Sequence, residues 1–175
     1  EPGANVEPLA HSIARIESIA AVHDLLSQEE IGLTTVRQIV RKIIDIASHS
    51  LIEPQVGVQF SISGAEERIS SRHATVLALV LNELIANAVT HGFDGRQSGT
   101  IRVSSSSDGR LLRIEVEDDG VGLPPGFDVE RDKGLGLTII HTLVTEDLKG
   151  HFELRPARNG GTVAIVVFPH ALAAA

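Results

Sequence analysis

The sequence predicts an α+β sandwich in which one mixed, mostly antiparallel sheet is covered by helices, with a helical appendage at the N-terminus. Three observations carry that prediction. Two long stretches of helical periodicity come before any extended strand pattern. Alternating runs and further helical runs then interleave to the end of the chain. Turn signals at Asp108-Gly109 and Asn159-Gly160-Gly161 separate alternating runs as hairpin connections do. This order favours helices layered on a sheet.

Each element follows from its residues. Residues 1–8 are polar and loose. Over 9–28, Leu9, Ile13, Ile16, Ala20 and His23 recur at helical spacing, with Ile19, Val22 and Leu26 beside them. This apolar stripe needs a partner. Packing on its own domain and joining a dimerising bundle both satisfy it. Gly32 breaks the pattern, and Thr34 or Thr35 caps a second helix to about 50, whose apolar face is Val36, Ile39, Val40, Ile43, Ile44 and Ala47. Pro54 stops that helix. Val56, Val58, Phe60 and Ile62 alternate with Gly57, Gln59 and Ser61 as a half-buried strand does. A helix over about 74–91 follows. Ile101 and Val103 alternate up to the Asp108-Gly109 turn, and Leu112, Ile114 and Val116 alternate after it. A Gly- and Pro-rich loop over 120–134 leads into a helix over 135–148, which Gly150 ends. Two strands close the chain, near 151–155 and 162–168.

Composition narrows the function classes. The 175 residues suffice for one full core and a small appendage. Aromatic residues are 3% of the chain, so the core is aliphatic. The net charge of −8 argues against a nucleic acid or an anionic membrane as partner, since readers of those carry basic stripes. There is no Cys, which excludes disulfides and thiolate chemistry and fits a reducing, cytoplasmic setting. No apolar run is read as a membrane span. The absence of Met, even at position 1, marks the chain as a piece of a longer protein whose upstream parts could be membrane-attached.

Three segments carry chemistry. In Asn82-Glu83-Leu84-Ile85-Ala86-Asn87-Ala88-Val89-Thr90-His91, residues Glu83, Asn87 and His91 are four apart. On a helix they form a polar stripe about 12 Å long, bordering an apolar face of Leu77, Leu81, Leu84 and Ala88. Polar groups at such a border need partners, and a cleft holding metal and phosphates supplies them. The Asn87 amide oxygen suits Mg²⁺, Glu83 would orient or deprotonate an attacking group, and His91 would donate to phosphate. The same stripe also reads as an ordinary helix surface. The second segment, Glu117-Asp118-Asp119-Gly120-Val121-Gly122, ends a strand. Asp118 would accept from an exocyclic amine such as that of adenine, and Gly120 and Gly122 let backbone approach a flat ring. An acidic turn is the plainer reading. The third, Lys133-Gly134-Leu135-Gly136-Leu137, opens a helix whose free N–H groups would face phosphate, with charge added by Lys133. A flexible loop before a helix gives the same pattern.

Taken together, in this order and followed by Gly161-Thr162 before the last strand, the segments resemble the GHKL ATPase superfamily, which includes histidine kinases and DNA gyrase B. The likeness lies in an N box (82–91), a G1 box (118–122) and a G2 box (134–137), and it spans roughly 34–169. It implies a Bergerat-type α/β sandwich binding ATP and Mg²⁺. By the resemblance, Asn87 binds the metal, Asp118 reads adenine, Gly134 and Gly136 line the phosphates, and Glu83 is the catalytic acidic residue. His91, Gly120, Gly122, Lys133, Leu135, Leu137 and Thr162 complete the expected nucleotide contacts.

The front end is more specific. Arg15-Ile16-Glu17-Ser18-Ile19-Ala20-Ala21-Val22-His23-Asp24-Leu25-Leu26 resembles the second dimerisation helix of sensor histidine kinases of the HisKA_2 or HWE type. This implies a remnant of a dimerisation and phosphotransfer hairpin over 1–31, a catalytic domain over 32–170 and a tail over 171–175. Neither His11 nor His23 has the sequence context of a phosphoacceptor, so the acceptor helix is expected outside this chain. The implied partners are ATP, that helix, a response-regulator receiver domain and a second copy through the N-terminal helix. An anti-sigma-factor serine kinase and a nucleotide-binding dimerisation module without activity are the alternatives. The remaining His residues show no metal-ligand spacing.

Overall fold

The computed structural model describes residues 6–27, 33–50, 57–64, 66–93, 96–132, 134–158 and 160–170. It opens with α1 (Val6–Ser27), a short strand β1 (Leu33–Thr35) and α2 (Val36–Ser50). The sheet strands are β2 (Gly57–Gly64), β4 (Ser98–Ser107), β5 (Leu111–Asp118), β6 (His151–Pro156) and β7 (Thr162–Pro169). Between them lie β3 (Arg68–Ser70), α3 (Ser71–Asn87), α4 (Val129–Asp132) and α5 (Leu135–Thr142). The main sheet runs β2-β4-β5-β7-β6; β2 lies parallel to β4 and the other pairs are antiparallel. This is the predicted mixed sheet, with helices packed on one face.

Local chemistry sets the boundaries. Thr35 and Gln38 form a reciprocal cap: the Thr35 N–H donates to Gln38 Oε1 at 2.9 Å and the Gln38 N–H to Thr35 Oγ1 at 3.3 Å. Ser70 caps α3 by accepting from the His73 N–H at 3.4 Å. The Asp108 carboxylate accepts from the N–H groups of Arg110 and Leu111, which closes the β4–β5 turn as the Asp-Gly pair predicts.

Five local features differ from the sequence reading, the first being that α1 already starts at Val6, inside the stretch expected to be loose. β1 and β3, three residues each, form a separate antiparallel pair. They are too short to show alternation. A single-turn helix, α4, interrupts the expected loop. The helices expected over 74–91 and 135–148 each end in a wide, π-type turn, at Ala88–Gly92 and Leu143–Asp147. The Asn159 part of the last turn, Lys133 and the tail over 171–175 lie outside the described residues.

The core is mainly aliphatic, with Phe93, Phe152 and Phe168 as its aromatic members. Ile39, Val40 and Ile43 of α2, Leu77, Leu81 and Ile85 of α3, and Ile140 and Val144 at α5 and its following turn close over Ile101, Val103, Leu112, Ile114, Val166 and Phe168 of the sheet. The 22-residue segment Ser71–Gly92 is long and apolar enough to cross a membrane, with mean hydropathy 1.4 over an 18-residue stretch of it. Its apolar side chains supply this core instead, so the length of the run alone is misleading. α1 packs against α2 and α3. Ile13, Ile16 and Ile19 on it stay exposed.

Tight packing also joins the end of α3 to β4. A Cβ on Gly99 would lie 2.1 Å from Cε1 of the buried Phe93 ring. Gly99→Ala is expected to destabilise the chain by about 1–3 kcal/mol, as overpacking does. A urea titration that leaves the midpoint unmoved would refute this packing.

Candidate functional site

Strand parity places the first functional side chain. In β5, Leu112, Ile114 and Val116 point to the covered face, and two residues on, so does Asp118. Asp118 is therefore buried at the strand end, 6% exposed. Burial pushes its pKa above the ordinary carboxylate range, and the negative charge of Asp119 adds to that shift. The backbone N–H groups of Gly120, at 2.9 Å, and of Thr162 donate to the carboxylate and work against the shift.

The end of α3 meets this strand end. A Cβ on Gly92 would stand 3.1 Å from Asp118 Oδ1, and one on Gly120 would stand 2.2 Å from the Gly92 carbonyl oxygen. The Val121 N–H donates to the same carbonyl at 2.9 Å. Gly161 has φ +81 and its missing Cβ would fall 1.9 Å from the Asp118 carbonyl oxygen. Only glycine satisfies both constraints. Asp119 turns the other way and ties the loop down, accepting from the Thr100 N–H at 2.8 Å.

Along α3, Glu83 is buried, Asn87 half-buried and His91 exposed. The widened turn after Asn87 carries His91 off the straight stripe that a regular helix would give. Helix α5 starts opposite, with extended Gly134 at its N-cap. A Cβ on Gly136 would stand 3.3 Å from Glu83 Oε2 and 3.6 Å from Asn87 Oδ1. The glycine thus brings the start of α5 close to both side chains.

Together these elements enclose a cavity of about 880 Å³. Glu83, Asn87, His91, Asp118, Gly122, Gly134, Leu135, Gly136, Leu137 and Thr162 all line it. Gly120 stands behind the wall, in contact with Gly92 and Asp118 rather than the cavity. Lys133 lies outside the described residues. Val116, Leu154 and Ala164 form an apolar wall that the sequence reading had not assigned to the site. The alternation through Val116 to Asp118 carried the signal for the first of them. Ser12 of α1 also lines the cavity, and no motif pointed to it. Among the described residues no three His, Cys, Asp or Glu side chains converge as a metal cage.

Residues 72–172 match the family described as histidine kinase-, DNA gyrase B- and HSP90-like ATPases. That span holds every site residue except Ser12. The sensor histidine kinase PdtaS of Mycobacterium tuberculosis is 34% identical over 166 residues, covering 93% of this chain and 32% of the relative. The blue-light-activated histidine kinase 2 of Erythrobacter litoralis is 37% identical over 95 residues, 53% of this chain and 27% of the relative. The chain thus spans about a third or less of the length of these curated relatives. Among solved structures, the histidine kinase domain of the Erythrobacter litoralis EL346 blue-light activated histidine kinase superposes with a TM-score of 0.76 at 22% identity, over 92% of this chain and 75% of that one. The chain belongs to the family of histidine kinase-, DNA gyrase B- and HSP90-like ATPases.

Proposed function

We propose that this chain is the ATP-binding catalytic part of a sensor histidine kinase, and that it moves the γ-phosphoryl group of ATP to a His imidazole on a helix outside the chain. One observation carries the proposal: a single cavity gathers a buried carboxylate beside an apolar wall, a glycine-opened helix start, and a Glu–Asn pair. Each part matches one part of the nucleotide.

Asp118 accepts from the exocyclic amine of adenine while Val116, Leu154 and Ala164 receive the ring. The N–H groups at the start of α5 face the phosphates, where the helix dipole favours negative charge. Asn87 would hold Mg²⁺ through its amide oxygen. Asn87 is a neutral oxygen donor of the kind Mg²⁺ accepts beside phosphate oxygens and water. When bound, the ion would supply charge neutralisation for the departing phosphoryl group. Glu83 orients the incoming imidazole and accepts its proton as the N–P bond forms and ADP leaves. The phosphoryl group then passes to an aspartate of a response-regulator receiver domain. The stretch that leads from β5 through α4 would close over the nucleotide as a lid. The part of the chain over 1–31 is the second helix of a dimerisation hairpin in this scheme, and 32–170 is the catalytic domain.

A second reading has its own support. The anti-sigma F factor of Bacillus thuringiensis is 26% identical over 83 residues, 41% of this chain. The similarity to PdtaS reaches 93% of the chain, which favours the histidine kinase. The phosphorylated product decides, because phosphohistidine is lost in acid and phosphoserine is not.

Asp118→Ala is expected to lower ATP affinity on the order of 10- to 100-fold and to abolish preference over GTP, as loss of a hydrogen bond to a charged group does. Calorimetric titration with both nucleotides checks this. The same residue gives a pH signature. Adenine needs the ionised carboxylate, so ATP affinity falls as pH drops through the raised Asp118 pKa. In the ligand-free chain the folded state holds this proton more tightly than the unfolded state. Its stability therefore falls as pH rises from the ordinary carboxylate range through the raised value. Asp118→Asn removes that slope, which denaturation at several pH values would reveal.

Glu83→Ala is expected to cut labelling of an added acceptor helix by about 100-fold or more while ADP affinity changes little. Equal labelling by this variant would remove Glu83 from the chemistry. Acid-stable label would move the acceptor to a hydroxyl.

Asn87→Ala is expected to weaken nucleotide binding in Mg²⁺ but not in EDTA. An identical loss under both conditions would take the metal away from Asn87.

A further inference from the structure

The strand that carries Asp118 ends in an irregular pairing. Ile101 lies opposite Asp118 in the antiparallel register, so Thr100 falls opposite Asp119, one step past the end of β5. The Asp119 N–H donates to the Thr100 carbonyl at 3.2 Å, as in a regular ladder. The return bond is not regular. The Thr100 N–H donates at 2.8 Å to the Asp119 side chain, at Oδ1, in place of the Asp119 carbonyl. That carbonyl is thereby released from the ladder, and it accepts from the Arg96 guanidinium.

The same peptide link is used at its other end. The Gly120 N–H, which shares a peptide with the Asp119 carbonyl, donates to Asp118 Oδ1 at 2.9 Å. The 119–120 peptide thus has a cation on its oxygen and the buried carboxylate on its hydrogen. A charge on the carbonyl polarises the peptide and strengthens its N–H as a donor. Arg96 is itself fixed, since its N–H donates to the Phe93 carbonyl at 2.9 Å, just beyond the wide turn that closes α3.

These groups act on the ionisation of Asp118 with opposite sign. The Gly120 N–H favours the charged carboxylate, and the negative charge of Asp119 opposes it. Glu83 and His91 of α3 and Asp132 of α4 line the same cavity, but Asp119 is the charged group that acts on Asp118.

We propose that Asp119 and Arg96 are positioning residues for base recognition: Asp119 takes over the ladder bond with its side chain and so turns the 119–120 peptide toward Asp118, and Arg96 holds the peptide there. The inference rests on reading Asp118 as the group that accepts from adenine.

Charge and positioning separate in variants of the 175-residue chain. Asp119→Asn keeps an oxygen for the Thr100 N–H and drops the charge. Asp119→Ala drops both. Arg96→Ala releases the peptide oxygen. ATP and GTP affinities are measured by calorimetry across pH, and the Asp118 carboxyl is titrated by carbon-13 NMR in the ligand-free chain. Asp119→Ala and Arg96→Ala are expected to bind ATP about 3- to 10-fold more weakly at neutral pH, and Asp119→Asn to recover to within about 2-fold of wild type. In Asp119→Asn the Asp118 titration and the loss of ATP affinity both move to lower pH, because a like charge has gone. In Arg96→Ala both move to higher pH, because the charged carboxylate has lost support. A merely structural clamp would lower the melting temperature of these variants and leave the Asp118 titration where it is, which overturns the proposal. Asparagine that binds ATP no better than alanine at position 119 overturns it as well. A wild type that binds ATP and GTP equally, or neither, defeats the base reading, and this inference falls with it even where the carboxyl titrations move.

Discussion

The site depends on one close approach, that of the end of α3 to the end of β5. Gly92 lies against the Asp118 carboxylate, and Gly120 lies against Gly92. Any side chain at Gly120 would overlap the Gly92 carbonyl. Through this contact the helix bearing Glu83 and Asn87 is fixed relative to the strand bearing Asp118. The same contact sets the span between the group that would read a base and the groups that would act on phosphate. Gly161 repeats the device from β7, passing so near the Asp118 carbonyl that only a missing Cβ allows it. The glycines of this region thus serve distance more than flexibility. Gly136 does likewise across the cavity, admitting the start of α5 to Glu83 and Asn87.

Much of this was legible in the sequence because it depends on short-range rules. The alternation of Leu112, Ile114, Val116 and Asp118 gives both the strand and the inward aim of the carboxylate. The Asp108-Gly109 turn and the helical face of α2 are equally local. Other features depend on tertiary contacts. β1 and β3 are three-residue strands that exist only because each has the other. The wide turn at Ala88–Gly92 leaves no periodic mark, yet it moves His91 away from its expected line. Ser12 and Ser18 look like solvent-facing residues in any helix. Only the packing of α1 on α3 brings one to the cavity and buries the other. The reading of α1 as a dimerisation helix and its packing on its own domain are compatible, since the isoleucine stripe is still exposed in the packed form.

Two polar groups that strain the fold lie at the cavity or beside it, while a third, His170 Nδ1, is buried without a hydrogen-bond partner away from it. Asp118 is a carboxylate whose burial opposes its ionisation. Asn82 keeps a buried amide nitrogen unpaired. Neither serves the core, which is closed by apolar side chains from three helices and the sheet. Departures from local consistency of this kind mark places where a fold serves something other than its own stability. A hydrogen-bond donor from a base would relieve the first by stabilising the charged form.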